Sequence, residues 1–229
     1  MNYQTQMKLK RFWSQPIITY VLLGITTLVF LGMEITGGSE NIYVLIRWGA
    51  MNKQIIIGLH EYWRFLTPIF LHSGWLHFSV NMVTLYFLGI QVEKIYGHWR
   101  YLLIYLLSGI AGNVASFTFN GTTSAGASGA LFGLFGAFIV LGKHFRDNPS
   151  ISFMVRQYAT FIGISLLFNL FSSSVDIMAH IGGLIGGFLI ATVFAVPDHS
   201  EEFNIHELII SGIIYCFLLI VCLAMGFKY

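Results

Sequence analysis

The stretch Ile177-Met178-Ala179-His180-Ile181-Gly182-Gly183-Leu184-Ile185-Gly186-Gly187-Phe188-Leu189-Ile190-Ala191-Thr192-Val193-Phe194-Ala195-Val196 contains no Asp, Glu, Lys or Arg. Such a run is long enough for a helix to cross a ~30 Å hydrocarbon core, which takes about 20 apolar residues. Comparable charge-free runs recur outward from it, near residues 17–33, 74–92, 101–119, 126–142, 157–172 and 208–227. Composition agrees: of 229 residues, 56% are apolar or aromatic and only 10% are charged, against about 25% charged in an ordinary soluble domain. That deficit excludes a soluble globular protein. Twelve Lys and Arg nearly balance ten Asp and Glu, so there is no basic field to hold a phosphate backbone, and no nucleic-acid partner is expected. Cys216 and Cys222 both fall in the last apolar run, where a thiol behaves as a small buried hydrophobe; neither a disulfide framework, a metal site nor a cofactor is indicated. The expected fold class is an all-α polytopic membrane protein whose partner is the lipid bilayer.

Orientation follows from Lys and Arg in the short connections. With a cytoplasmic N-terminus, Lys8, Lys10, Arg11, Lys94, Arg100, Lys143, Arg146 and Arg156 lie inside and Arg47, Lys53, Arg64 and Lys228 outside, eight against four. The basic residues ahead of the 17–33 run look like the start of a secretory signal, but the run is long and lacks a small-residue cleavage site; it reads as a retained first helix. The long connection from Gly37 to Phe65 mixes Ile42, Tyr43, Leu45, Ile46, Trp48, Tyr62 and Trp63 with Arg47 and Arg64, a mixture suited to the outer membrane interface and equally to a structural loop held there by its aromatics. The 157–172 run is short and ends in Asn169 followed by Ser172, Ser173 and Ser174, which makes it the least firmly embedded span.

Polar residues inside spans are costly and mark function. Here they share one level. At 1.5 Å of rise per residue, Ser128 lies roughly 22 Å from Lys143, while His180 lies roughly 24 Å from Val196 and His77 roughly 24 Å from Glu93. Asn81 is one turn below His77 on the same helical face. Glycines supply proximity: Gly182, Gly183, Gly186 and Gly187 form two overlapping G-x-x-x-G patterns after His180, and Gly129, Gly133 and Gly136 follow Ser128. Small residues let transmembrane backbones approach closely. An imidazole close to a hydroxyl can take its proton, the minimum needed to activate a serine.

The segments Gly126-Ala127-Ser128-Gly129, Ala179-His180-Ile181-Gly182-Gly183 and His72-Ser73-Gly74-Trp75-Leu76-His77-Phe78-Ser79-Val80-Asn81 together resemble the rhomboid family of intramembrane serine proteases. Glu61-Tyr62-Trp63-Arg64-Phe65-Leu66-Thr67 is similar to that family's first-loop motif, and Val92-Glu93-Lys94 with Gly97 to the end of its second core helix. The resemblance implies a six-helix core at 17–196, with a long first external loop at 37–73. A cytoplasmic segment at 1–16 would precede this core, and 197–229 would hold a connection and a seventh, C-terminal transmembrane helix. It implies Ser128 as nucleophile and His180 as general base, with His77, Asn81 and the Ser128 backbone N–H stabilising the oxyanion. It further implies single-span membrane protein substrates cut near the outer membrane face, and a location in the cell membrane. Family members use a Ser–His dyad without a carboxylate. Asp176, four residues before His180, reads as a helix N-terminal acid placed against the dipole, with an alternative as the acid of a triad. Phe132 falls where many members have Tyr stacked on the catalytic His, keeping the stacking and losing the hydroxyl. His72 matches a histidine that is structural or water-organising, and His60, His98, His144, His199 and His206 read as solvated connection residues.

Two other functions compete with the protease. A catalytically inactive rhomboid-like protein that binds membrane clients would be expected to lack Ser or His, and both are present. A transporter would show repeated halves and interrupted helices, and neither is evident. His60-Glu61-Tyr62-Trp63-Arg64 begins like a zinc-protease helix, but Arg64 stands where the second His ligand is required.

Overall fold

Residues 14–170, 176–197 and 199–228 are described by the computed structural model, of residues 161–170 the backbone only. Lys8, Lys10, Arg11 and the serines at 172–174 lie outside the described residues. Helix α1 spans Ile17–Ile35, and the long connection after it holds two short helices, α2 (Ile42–Trp48) and α3 (Lys53–Leu59). Two 3₁₀ turns follow, at Tyr62–Phe65 and Thr67–Phe70. Helix α4 covers Trp75–Tyr96, passing through one π-helical stretch at Leu85–Gly89. Next come α5 (His98–Phe119), α6 (Ser128–His144), α7 (Pro149–Leu170), α8 (Ile177–Phe194) and α9 (Ile205–Lys228). The described residues contain no strand, only an isolated bridge between Met51 and Ser124.

Five of these helices, α1, α4, α5, α8 and α9, are long and apolar enough to cross a membrane, and α6 is apolar but shorter at 17 residues. The all-α, polytopic expectation is therefore met. The run expected at 157–172 belongs to a helix that starts earlier, at Pro149, where Asn148 accepts hydrogen bonds from the backbone N–H of Ser150 and Ile151. Asn is a strong helix starter for this reason, and the sequence reading missed it because Pro149 to Arg156 is not uniformly apolar.

Glycine packing places the centre of the bundle. A Cβ on Gly183 would stand 2.0 Å from the Gly129 carbonyl oxygen, and one on Gly187 would stand 2.2 Å from Gly133 Cα. A Cβ on Gly112 would meet the Ala179 carbonyl oxygen at 2.6 Å. Backbones of α5, α6 and α8 thus touch directly, which brings the N-terminal ends of α6 and α8, carrying Ser128 and His180, side by side. Fully buried Tyr96, Tyr101, Tyr105 and Phe138 belong to the same core cluster as the α6 and α8 side chains around this contact.

Buried carboxylate and histidine contacts tie the helix ends. Glu93, 2% exposed, accepts the backbone N–H of Ile18 at 2.8 Å and of Thr19 at 2.7 Å, as well as the Thr19 hydroxyl at 2.6 Å. It therefore caps α1 from α4, meeting donors that a helix start leaves unpaired. His98 Nδ1 lies 2.5 Å from the same carboxylate. His144 stacks on Phe203 at 4.1 Å and reaches Glu207 at 3.1 Å. His98 and His144 sit on helices and are largely covered, with side-chain exposures of 20% and 6%, so they are not the solvated connection residues expected. Both approach carboxylates contributed by neighbouring helices, Glu93 five residues before His98 and Glu207 63 residues after His144; only the second pairing is hidden from local sequence.

The connection from Gly37 to Phe65 also departs from a purely interfacial reading. Arg64 is 6% exposed; Nη1 donates to the carbonyls of Ile46 at 2.8 Å and Ala50 at 3.0 Å, and Nε donates to Glu61 at 2.7 Å. Tyr43, Tyr62 and Trp63 remain exposed. The aromatics face outward while the guanidinium holds the connection together from within.

Candidate active site

A cavity of about 770 Å³ runs from Glu40 and the turn at 120–126 down to Ser128 and His180, and His77 and Asn81 also line it. The four polar residues expected to share one level are gathered on one wall system, contributed by α4, α6 and α8. Ser128 is the first residue of α6, so its backbone N–H is among the donors that a helix start leaves free. His180 lies one turn into α8 and is 5% exposed.

Ring packing orients the imidazole. Phe132, one turn beyond Ser128, stacks face to face with His180 at a centroid distance of 4.3 Å and an interplanar angle of 15°. Asp176 is the N-cap of α8: its carboxylate accepts the backbone N–H of Ala179 at 3.1 Å and also the hydroxyl of Ser116. This is the capping placement, with the carboxylate committed to the helix start.

Gly126 shows how closely the remaining groups converge. A Cβ built there would lie 2.9 Å from His77 Nε2 and 3.5 Å from Ser128 Oγ, so both atoms border one small space. Its φ of +144° is a backbone conformation that side-chain-bearing residues rarely adopt. Asn81 spends one amide N–H on the His77 carbonyl at 2.8 Å; an Asn carries two such donors, which leaves one for the cavity. Hydroxyl, imidazole and amide donors around a shared space can activate a serine and receive an oxyanion.

His72 turns out to be coupled to this site. Fully buried, its Nε2 accepts the backbone N–H of Ala127 at 3.3 Å, and its ring meets His77 edge to face at 5.1 Å. It holds the peptide just before Ser128. Burial, with a smaller contribution from His77, pushes its pKa down to about 3, so the ring is a neutral acceptor. Its position five residues before His77 gave no local signal of that contact, which depends on the fold returning the Gly126 turn to it. No group of three or more His, Cys, Asp or Glu able to hold a metal ion exists among the described residues.

Comparison with known proteins matches this region. Residues 59–197 match the family model of the rhomboid domain. The chain is 39% identical over 215 residues to rhomboid protease GluP of Bacillus subtilis (strain 168), which covers 94% of this chain and 40% of GluP. RHOMBOID-like protein 1 of Arabidopsis thaliana is 33% identical over 205 residues, covering 86% of this chain and 47% of that protein. YdcA of Bacillus subtilis is 30% identical over 192 residues, covering 83% of this chain and 92% of YdcA. The chain therefore spans less than half the length of the first two relatives.

Proposed function

This chain belongs to the rhomboid family, and on that premise we propose that it is an intramembrane serine endopeptidase in which Ser128 is the nucleophile and His180 the general base. Ser128 Oγ attacks a peptide carbonyl while His180 takes its proton. The C–N bond then breaks, the leaving amine receives that proton, and an acyl-enzyme remains on Ser128. Water, deprotonated by His180, releases the acyl group and restores the hydroxyl. The oxyanion formed in both halves is received by the Ser128 backbone N–H, His77 and Asn81. Preorganised donors of this kind are worth about 3–4 kcal/mol each.

The observation that carries this reading is the shared cavity, which reaches from Glu40 and the turn at 120–126 to both Ser128 and His180. It supplies the route for water that hydrolysis inside an apolar bundle requires. Substrates are single-span membrane proteins that unwind locally near the outer membrane face, because an intact helix shields its carbonyls. The excess of Lys and Arg at the opposite end supports a cytoplasmic N-terminus in the cell membrane. At that end Arg100 Nε donates to the last carbonyl of α8, Phe194, at 3.0 Å, and Lys143 pairs with Glu207.

A direct test incubates purified protein in liposomes with a labelled single-span substrate and compares wild type with Ser128→Ala and His180→Ala. Cleavage by wild type and its loss in both folded variants is the expected result. Cleavage persisting in both would overturn the assignment; no cleavage by wild type on any membrane substrate would favour client binding without catalysis.

A further inference from the structure

The outer rim of the cavity carries a carboxylate that the hydrolytic chemistry does not use. Glu40 lines the cavity, and its side chain has no hydrogen-bond or ion-pair partner among the described residues. Its neighbours are both pinned. Ser39, 1% exposed, donates its hydroxyl to Glu34 and accepts the Gly74 backbone N–H at 3.1 Å. Asn41 caps α2 by accepting the Tyr43 N–H at 3.0 Å. Glu40 is thus held at the rim by its backbone while its carboxylate stays open. Its Oε1 would lie 2.6 Å from a Cβ on Gly74, beside the first turn of α4, where a helix start favours negative charge.

The surroundings select the occupant. Apolar Ile42, Leu45 and Leu76 line the same cavity, and among the described residues its only charged lining groups are Glu40 and Asp176, with no Lys or Arg. Asp176 is already engaged as the α8 cap. Apolar lining together with an unpaired carboxylate at the rim matches a long basic side chain, whose methylene stem lies on hydrocarbon while its charged end seeks a counter-charge. Resting on the protease reading above, we propose that Glu40 is a specificity residue that selects substrates carrying Lys or Arg on the segment threaded through the outer rim beside the scissile bond.

The test uses full-length protein in liposomes and a set of single-span substrates in which Lys, Gln or Glu is placed in turn at each position flanking the cleavage site. The readout is the ratio of kcat/KM between substrates differing only in that charge. At one or two positions wild type is expected to favour Lys over Glu about three- to fivefold, the scale of a solvent-accessible ion pair, with the ratio shrinking as salt is raised. Glu40→Gln should bring that ratio close to one, and Glu40→Lys should invert it. A general loss of fold or activity cannot produce inversion. If wild type cuts the set but charge matters at no position, or if both variants keep the wild-type ratio, the Glu40 proposal fails while the protease reading stands. If wild type cuts none of the set and Ser128→Ala behaves identically, both fail.

Discussion

Phe132 and His72 act on the site through other groups. The face of Phe132 lies against His180, and aromatic contacts of this kind are worth about 0.5–1.5 kcal/mol beyond buried area. Phe132→Ala should therefore lower kcat about three- to tenfold, while Phe132→Tyr, which retains the ring, should stay close to wild type; turnover of one membrane substrate by the three proteins decides it. His72 makes a prediction about pH. Its folded pKa, about 3, lies below the unfolded value of about 6.5. The unfolded chain binds a proton here that the folded chain refuses, so this contribution to stability is intact above 6.5 and is lost as pH falls toward 3. Detergent-induced unfolding midpoints between pH 7.5 and 4.5 should fall more steeply for wild type than for His72→Gln; parallel slopes would show that His72 is not the group responsible. Helical rise in the sequence gives Ser128, His180, His77 and Asn81 a similar expected depth, and all four line one cavity. It did not reveal that His72 holds Ala127, since that contact joins two turns lying 55 residues apart.

Packing of the elements depends on where hydrogen atoms replace side chains. Gly183 in α8 faces the Gly129 carbonyl, leaving 2.0 Å for an added Cβ, whereas Gly24 in α1 has nothing within 4 Å. Overpacking costs about 1–3 kcal/mol, so Gly183→Ala should lower the unfolding midpoint and also displace Ser128 relative to His180, reducing cleavage. Gly24→Ala should be neutral or stabilising by up to about 1 kcal/mol, the helix preference of Ala over Gly. Equal effects from the two changes would show that the α6–α8 contact is looser than described. The overlapping G-x-x-x-G patterns made this contact legible beforehand. The cap that Glu93 provides to α1 was not legible: a carboxylate at the end of α4 meets donors 74 and 75 residues earlier, and only the folded bundle brings them together.

For the molecule as a whole, the proposed function raises the question of how a transmembrane substrate would reach a cavity lined by five helices and loops. Between α4 and α7 lies a second, smaller cavity of about 370 Å³, bordered by Val83, Phe87, Gln157 and Tyr158 and sharing Thr84 and Phe135 with the first. A lateral route between these helices would join bilayer and site. Crosslinking cysteines introduced at Phe87 and Tyr158, with Cys216 and Cys222 replaced by Ser, should slow cleavage of a transmembrane substrate and recover on reduction; undiminished cleavage in the crosslinked protein would count against this route. Helix α9 braces the opposite side: Tyr215 donates to the Leu107 carbonyl at 2.9 Å, Thr118 donates to the Cys222 carbonyl at 2.8 Å, and Phe227 packs on Phe117 at 5.0 Å. The linear chain already carried the membrane class and the apolar runs that form its helices, because hydrophobic length is a local property. Long-range folding settled the rest: the Ser116 hydroxyl brought to Asp176, the hold of His72 on Ala127, the burial of Arg64 and His144, and the open carboxylate of Glu40. Each of these depends on which groups from distant segments share a space, and in a low-dielectric bundle the available partner decides whether a polar side chain is structural or reactive.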